Sequence, residues 1–357
     1  MKVCILGDSL TGLTLAKSLI NKGIYVDIFF NQTNKYRDKS RTLGLSKSNI
    51  EFFNKEILNI EKLLWNIDKI QINSENLHNE KILEFQNKNK RIFSIIRNFE
   101  LYDCLLANIK KSRYLKIILK KVSVDVVRKD YQLIINCDLK NELTKKYFCK
   151  TLSKDYESYA HTAIMHHKQI HKNNVAVQIF TRNGPLAFLP MSNKKTSLVY
   201  SFVGKKDFDF EREVKKFNDK YQIIKISDPK KIKLKSSDLR NYHYDNILAF
   251  GDLLHKIHPL AGQGFNMSIR DIKELMQIVQ FKIDHGLELD KTICKEFEKK
   301  RKHKNFIFSN GVDTIYEFFK FESKIRSKTL SRLVKSLGKN NFLNKTFSKF
   351  ADEGIII

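Results

Sequence analysis

The sequence predicts an α/β protein with a doubly wound lobe, an antiparallel β-sheet lobe and a helical C-terminal region. Three observations predict it. At 357 residues the chain is longer than one core usually grows, about 250–300 residues. It opens on an apolar run, a helical repeat and a second apolar run, the pattern of a β-α-β unit. Residues 158–203 then alternate or run apolar in short stretches between polar turns, as antiparallel strands do. With 42% hydrophobic and 11% aromatic residues, the chain can bury enough apolar surface to outweigh its ordering entropy, which excludes wholesale disorder.

Residues 2–6 read as a buried strand because Val3, Cys4, Ile5 and Leu6 are consecutive and apolar. A helix follows over 12–22, with Leu13, Ala16, Leu19 and Ile20 on one side, then a strand over 24–30. Residues 46–63 and 100–111 carry helical spacing, while 115–119, 122–128 and 131–137 read as strands. In the second lobe the strands are 160–166, 175–181 and 197–203, with Asn183-Gly184-Pro185 as a turn. A strand over 246–250 returns the chain to the first lobe, and a helix runs from about Gly264 to Val279. From Lys291 helical spacing recurs, with Phe318, Phe319, Phe321, Leu333, Phe342 and Phe347 interleaved with Lys and Arg. The lobes are therefore drawn at 1–157 with 240–290, at 158–239, and at 291–357.

Lys and Arg number 66 against 39 Asp and Glu, a formal charge of +27 that attracts polyanions such as nucleic acid or an anionic membrane. The lysines are spread along the chain, and Lys, Asn, Ile and Phe are all abundant, so codon bias accounts for most of the excess. No helix-turn-helix, finger or RNP signature accompanies it, and no nucleic-acid partner is expected. Cys4, Cys104, Cys137, Cys149 and Cys294 are odd in number and never form C-x-x-C, which indicates neither a disulfide framework nor a zinc site. No window holds the ~20 apolar residues of a membrane span, and Gly7-Asp8-Ser9 interrupts the only apolar run that could imitate a signal peptide. The expected location is cytoplasmic.

Two motifs carry chemistry. Gly7-Asp8-Ser9-Leu10-Thr11-Gly12 lies between the first strand and helix, a G-x-G-x-x-G with Ser9 at its middle glycine. Gly7 and Gly12 allow a tight turn and close helix approach, and the helix start offers N–H groups to a pyrophosphate. The second strand ends on Phe30-Asn31 where an acid usually holds a ribose, so from this segment alone a β-α-β unit without a dinucleotide is an equal reading. The second motif runs Gly251-Asp252-Leu253-Leu254-His255-Lys256-Ile257-His258-Pro259-Leu260-Ala261-Gly262-Gln263-Gly264-Phe265-Asn266-Met267-Ser268-Ile269-Arg270-Asp271. Asp252 at a strand end can accept hydrogen bonds from a sugar-like chain, and Gly262 and Gly264 let backbone approach a flat ligand.

This second stretch resembles the GD-x-x-H-x-x-H-P-x-x-G-Q-G-x-N-x-G-x-x-D of the flavin-dependent hydroxylases of ubiquinone biosynthesis, with Ser268 in place of a glycine. Arg41-Thr42-Leu43-Gly44-Leu45-Ser46 is similar to their R-x-x-x-L-S, and Gly184-Pro185-Leu186-Ala187-Phe188-Leu189-Pro190 to their GP-x-A-x-LP. Val312-Asp313 with Phe318-Phe319 resembles their C-terminal region. Asp138 stands in a DG-x-x-S-x-x-R position, where Leu139, Glu142 and Lys145 replace Gly, Ser and Arg. The resemblance implies an FAD-dependent aromatic-ring monooxygenase acting with molecular oxygen on a polyprenylated phenol. NADH or NADPH would be the reductant, with other quinone-biosynthesis proteins and the inner face of a membrane as partners. It implies cofactor contacts from Gly7, Ser9, Gly12, Arg41, Asp138, Gly251, Asp252, Pro259, Gly264, Phe265 and Asn266, and catalytic positions at His258, Pro259, Gly262 and Gln263. Another flavin oxidoreductase on the same scaffold and a degenerate non-catalytic subunit stay open.

Blander roles go to the remaining conspicuous residues. His255 and His258 lack a carboxylate or thiolate at ligand spacing, so no metal is expected. His166 and His167 read as solvated strand-end residues, Trp65 as packing, and the Phe318–Phe321 stripe as core or interface. The Lys and Arg interleaved with apolar residues over 318–350 also fit an interfacial helix.

Overall fold

In the computed structural model, which describes residues 1–30, 39–86, 91–119, 130–204, 208–259, 262–325, 329–337, 349 and 352–354, two main sheets share one cavity. The first half of the chain supplies β1 (Lys2–Leu6), α1 (Leu10–Asn21), β2 (Tyr25–Phe29), β3 (Thr42–Ser46), α2 (Lys47–Phe52), β4 (Trp65–Ile67), β5 (Lys69–Ser74), β6 (Glu80–Gln86), β7 (Phe93–Arg97), α3 (Asn98–Ile109) and β8 (Leu115–Ile118). After them come β9 (Ile134–Asn136), α4 (Glu142–Tyr147), β10 (Thr151–His167), β11 (Val175–Thr181), β12 (Gly184–Ser192) and β13 (Lys195–Val203). The last third holds α5 (Phe210–Lys216), β14 (Ile223–Ile226), β15 (Lys230–Leu239), β16 (His243–Tyr244), β17 (Ile247–Ala249), β18 (His255–Lys256), α6 (Gln263–Asp284), α7 (Lys291–Ile325) and α8 (Thr329–Leu337).

The first sheet runs β16-β17-β9-β1-β2-β8, with β1 parallel to both β2 and β9. Covered on both faces, β1 has no alternation to keep, which is why Val3–Leu6 are uniformly apolar and buried. Helices α1, α3 and α6 pack on this sheet, and their apolar faces join its strands, Phe250 and Phe297 in the largest core. The second sheet runs β18-β15-β10-β13-β12-β11-β5-β6, with β14 also pairing with β10, and a small third sheet is β3-β7-β4.

The structure redraws two boundaries. The hairpin β5–β6 comes from the stretch assigned to the first lobe, yet β5 pairs in parallel with β11, from Lys69↔Val175 to Ser74↔Phe180. Its residues are mostly half-buried, so its apolar pattern is faint. Strand β10 starts at Thr151, and its first five residues are exposed, which hides it from any hydrophobic signal. The helix read over 46–63 ends early: α2 widens into a π turn at Phe53–Ile57, and Leu58 is extended. The strand read over 122–128 and the positions Phe342 and Phe347 lie outside the described residues. Among the described residues no helix is long and apolar enough to cross a membrane.

Candidate functional site

A cavity of about 1700 Å³ lies where the carboxyl ends of the first sheet meet one face of the second. On the first side it is lined by the β1–α1 loop (Gly7, Asp8, Ser9), Arg41, Asp138 and Asp252. Gly12 lies one turn into α1, where a Cβ would fall 2.4 Å from the Gly7 carbonyl oxygen, so only glycine lets the helix sit this close to the strand. Ser9 is the N-cap of α1, and its Oγ accepts the Gly12 N–H at 3.1 Å. The hydroxyl at the middle glycine position thus serves the helix start. Phe29 and Phe30 line the cavity at the end of β2, where a ribose-holding acid is absent.

The Asp138 loop is held by its own polar groups: Asn136 Oδ1 accepts the Asp138 N–H, and Thr144 Oγ1 donates to the Asp138 carbonyl at 2.6 Å. Asp138 Oδ1 accepts the Lys140 N–H at 2.9 Å, so part of its capacity is spent locally. Leu139, Glu142 and Lys145, the three departures from the family pattern, line the same wall.

From the second motif, Asp252, Pro259, Gly262, Gln263, Gly264 and Phe265 line the cavity. Gly262 is the N-cap of α6 at φ 63, in the left-handed region, and a Cβ there would lie 3.4 Å from the Gly44 N. The start of α6 and strand β3 are thereby pressed together at the cavity wall. Gly12, Gly251 and Asn266 act behind this surface. Gly251 packs on Thr11, and the buried Asn266 is a clasp. Asn266 Oδ1 accepts the Ser46 N–H at 3.0 Å and the Asn49 Nδ2–H at 2.9 Å, while its Nδ2 donates to Gly44 O at 2.8 Å. Asn266 does not line the cavity, and its side chain joins α6 to β3 and α2.

His258 is also relocated. It does not line the cavity; its ring is buried, stacked on Tyr316 at 4.2 Å and edge-on to Tyr156 at 4.9 Å. Burial, with help from Lys154 and Lys320, pushes its pKa down to about 3, so the ring is neutral. Pro259 reaches the cavity while His258 anchors the turn behind it. His255, weighed in the sequence only as a metal ligand, is buried and lines the cavity. His255 Nε2 lies 2.6 Å from Asp271 Oδ2, and Asp271 Oδ1 accepts Arg301 Nε at 2.7 Å and Asn305 Nδ2 at 3.0 Å. Burial alone would raise the Asp271 pKa, but the Arg301 charge and the His255 contact outweigh it and hold the carboxyl below its ordinary value. Arg301 and Asn305 are one turn apart on α7, and nothing local in their sequence marks them. Among the described residues no group of three His, Cys, Asp or Glu is placed to hold a metal.

The far side of the cavity carries an apolar group, Ile70 and Ile72 of β5, Leu189 of β12 and Phe318 and Phe319 of α7, beside polar Gln178, Ser201 and Lys233. Phe319 stacks on Phe180 with ring centroids 3.5 Å apart. The phenylalanine stripe is therefore both core and cavity wall, although Phe321 is exposed. Trp65 packs as expected, its Nε1–H donating to Asn173 O at 2.6 Å. His167, read as solvated, is buried instead: it packs on Tyr221, and its Nε2 lies 3.1 Å from Thr196 Oγ1.

The first side fits a dinucleotide: a β1–α1 turn whose close helix approach a Cβ at position 12 would break, the amino end of α1, a carboxylate at Asp252 and a slot between β3 and the start of α6. Comparison with known proteins agrees. The family model described as "FAD binding domain" matches residues 152–284. The chain is 23% identical over 270 residues to "Ubiquinone biosynthesis monooxygenase COQ6, mitochondrial" of Schizosaccharomyces pombe, covering 60% of this chain and 56% of that protein. It is 28% identical over 152 residues to "3-demethoxyubiquinol 3-hydroxylase" of Escherichia coli, covering 40% and 39%. The chain thus spans about half the length of the curated relatives it matches. Its fold matches the crystal structure of p-nitrophenol 4-monooxygenase PnpA from Pseudomonas putida at TM-score 0.77 and 12% identity, over 99% of this chain and 98% of that one. Klebsiella pneumoniae HpxO, complexed with FAD and uric acid, matches at TM-score 0.74 and 9% identity, over 99% and 96%.

Proposed function

We propose that this chain is a member of the FAD-dependent hydroxylases that include enzymes of ubiquinone biosynthesis, and that it is an FAD-dependent monooxygenase hydroxylating the ring of a polyprenylated phenol. One observation carries the reading: a single cavity joins the dinucleotide cradle of the first sheet to an apolar chamber under the second. Reduced FAD, when bound, supplies the activation of molecular oxygen. The chain's residues do the rest. Gly7, Ser9 and the amino end of α1 would hold the pyrophosphate, Arg41 and Asp138 would add contacts, and Asp252 would hold the ribityl chain. Backbone N–H groups at the start of α6, from Gly262 to Gly264, would stabilise negative charge on the reduced ring system, aided by the helix dipole. Pro259 would shape the ring's face, and His255, fixed by Asp271, would present a buried polar group in the same wall.

The apolar chamber suits a ring bearing a hydrocarbon tail, and the stacked Phe180 and Phe319 help keep water from the reacting end. Helix α7 exposes Phe306, Ile307 and Phe321 near Lys304 and Lys320, a surface suited to reversible docking on an anionic membrane at its inner face, where such a substrate resides. A second reading, a subunit that binds FAD without turnover, would rest on Leu139, Glu142 and Lys145 in the cavity wall, where NADH or NADPH would be served.

The test is in two parts. The purified chain should take up FAD non-covalently, released by acid as free flavin. With NADH or NADPH, oxygen and a prenylated phenol, it should then give a product heavier by one oxygen atom. FAD uptake without that product favours the silent subunit, and no uptake ends both readings.

A further inference from the structure

Residues 352–354, at the far end of the chain, form part of the cavity wall. Asp352 Oδ1 accepts the Ser48 N–H at 2.8 Å, and the Asp352 carbonyl accepts the hydroxyls of Ser46 at 2.9 Å and Ser48 at 2.8 Å. Ser46 is the N-cap of α2 but makes no side-chain capping bond of its own. A helix start needs acceptors for its first N–H groups, and here one comes from 304 residues away. Gly354 is buried against Arg270, where a Cβ would lie 3.0 Å from Nη1. Arg270 is itself buried, feels the Asp352 charge, and donates through Nη2 to Gln263 Oε1 at 3.2 Å. Lys349, Asp352 and Glu353 line the cavity beside Ser46 and Gln263.

We propose that residues 352–354 are a component of the cofactor site and that Asp352 is its positioning residue. Seated, the segment fixes Ser46 and Ser48 from one side and, through Arg270, Gln263 from the other. Those are the two wall elements that the Asn266 clasp already joins. A ligand that fills the cavity then touches the segment and holds it down, and by thermodynamic reciprocity a seated segment binds that ligand more tightly. This rests on the flavin reading above, because FAD is the ligand that would bridge the wall.

The experiment measures hydrogen exchange of the full chain with and without FAD, and FAD affinity of the wild type, Asp352→Ala and Asp352→Asn. FAD should slow exchange in the peptide covering 349–354 and at the Ser48 amide. Asp352→Ala should weaken FAD binding about fivefold, the scale of one lost helix cap. Asp352→Asn keeps the acceptor oxygen and should stay within about twofold of wild type by the same reasoning. FAD uptake by the wild type with unchanged exchange at 349–354, or equal affinity in Asp352→Ala, overturns the proposal and leaves the flavin reading standing. No uptake by the wild type removes the flavin reading and the proposal together.

Discussion

Replacing Asp271 with alanine should cost the fold about 3–5 kcal/mol, the usual result of removing one partner from a buried ion pair. The structure gives the reason. The carboxylate is fully buried, and its oxygens meet Arg301 Nε at 2.7 Å, Asn305 Nδ2 at 3.0 Å and His255 Nε2 at 2.6 Å. The Arg301 side chain is only 11% exposed and that of His255 1%, so neither can turn to water when the carboxylate is gone. Urea unfolding at neutral pH, with a constant dependence on denaturant, measures the loss. A paired replacement, Asp271→Leu with Arg301→Met, leaves no lone charge and should cost less than the sum of the singles. A loss under about 1 kcal/mol for Asp271→Ala, or strict additivity in the pair, would refute the reasoning. The pH dependence has a definite sign. The Asp271 carboxyl sits below its ordinary 3.8 in the folded state, so its contribution is present above that value and lost as pH falls through the folded one. Asp271→Asn should flatten that acid limb.

Three further outcomes follow from the geometry. Gly12→Ala places a Cβ 2.4 Å from the Gly7 carbonyl, so α1 must retract and FAD affinity should fall at least about tenfold; an unchanged flavin titration would contradict the cradle. Asp252→Ala should lose about 1.5–3 kcal/mol of FAD binding, and Asp138→Ala less, because Asp138 already accepts the Lys140 N–H; equal losses would reverse the ranking. His258 has a folded pKa near 3 against an ordinary 6.5, so the native state loses stability as pH falls from 6.5 towards 3. His258→Phe should remove that loss, and parallel curves of Tm against pH for the two proteins would contradict its burial as a neutral ring.

The parts of the site legible in the sequence are those whose chemistry is local. Gly7, Gly12, Asp252 and Gly262 sit in motifs because turns, helix starts and close approaches are set by a few consecutive residues. The strand β1 and the helix α1 were legible for the same reason, since a buried run and a helical repeat each fit in one window. What stayed hidden depends on distant partners. Arg301 reaches Asp271 from 30 residues away, and Asp352 reaches Ser48 from 304. His258 carries the motif yet turns its ring into the Tyr156–Tyr316 contact, because the motif fixes the backbone path and not the direction of each side chain. The hairpin β5–β6 was illegible because its edge position and half-buried residues leave no strong alternation.

The order of strands in the first sheet bears on how the chain is made. Strand β9 borders β17, which is synthesised roughly a hundred residues later, and β5 waits equally long for β11. At about 5–20 residues per second, a nascent chain carries two unpaired sheet edges for several seconds or more. Open edges of this kind template pairing with other chains. The interleaving that lets one cavity draw on both sheets therefore makes each sheet's closure wait on the other, and yield in a cell should depend on chaperone supply more steeply than the folded protein's stability would indicate.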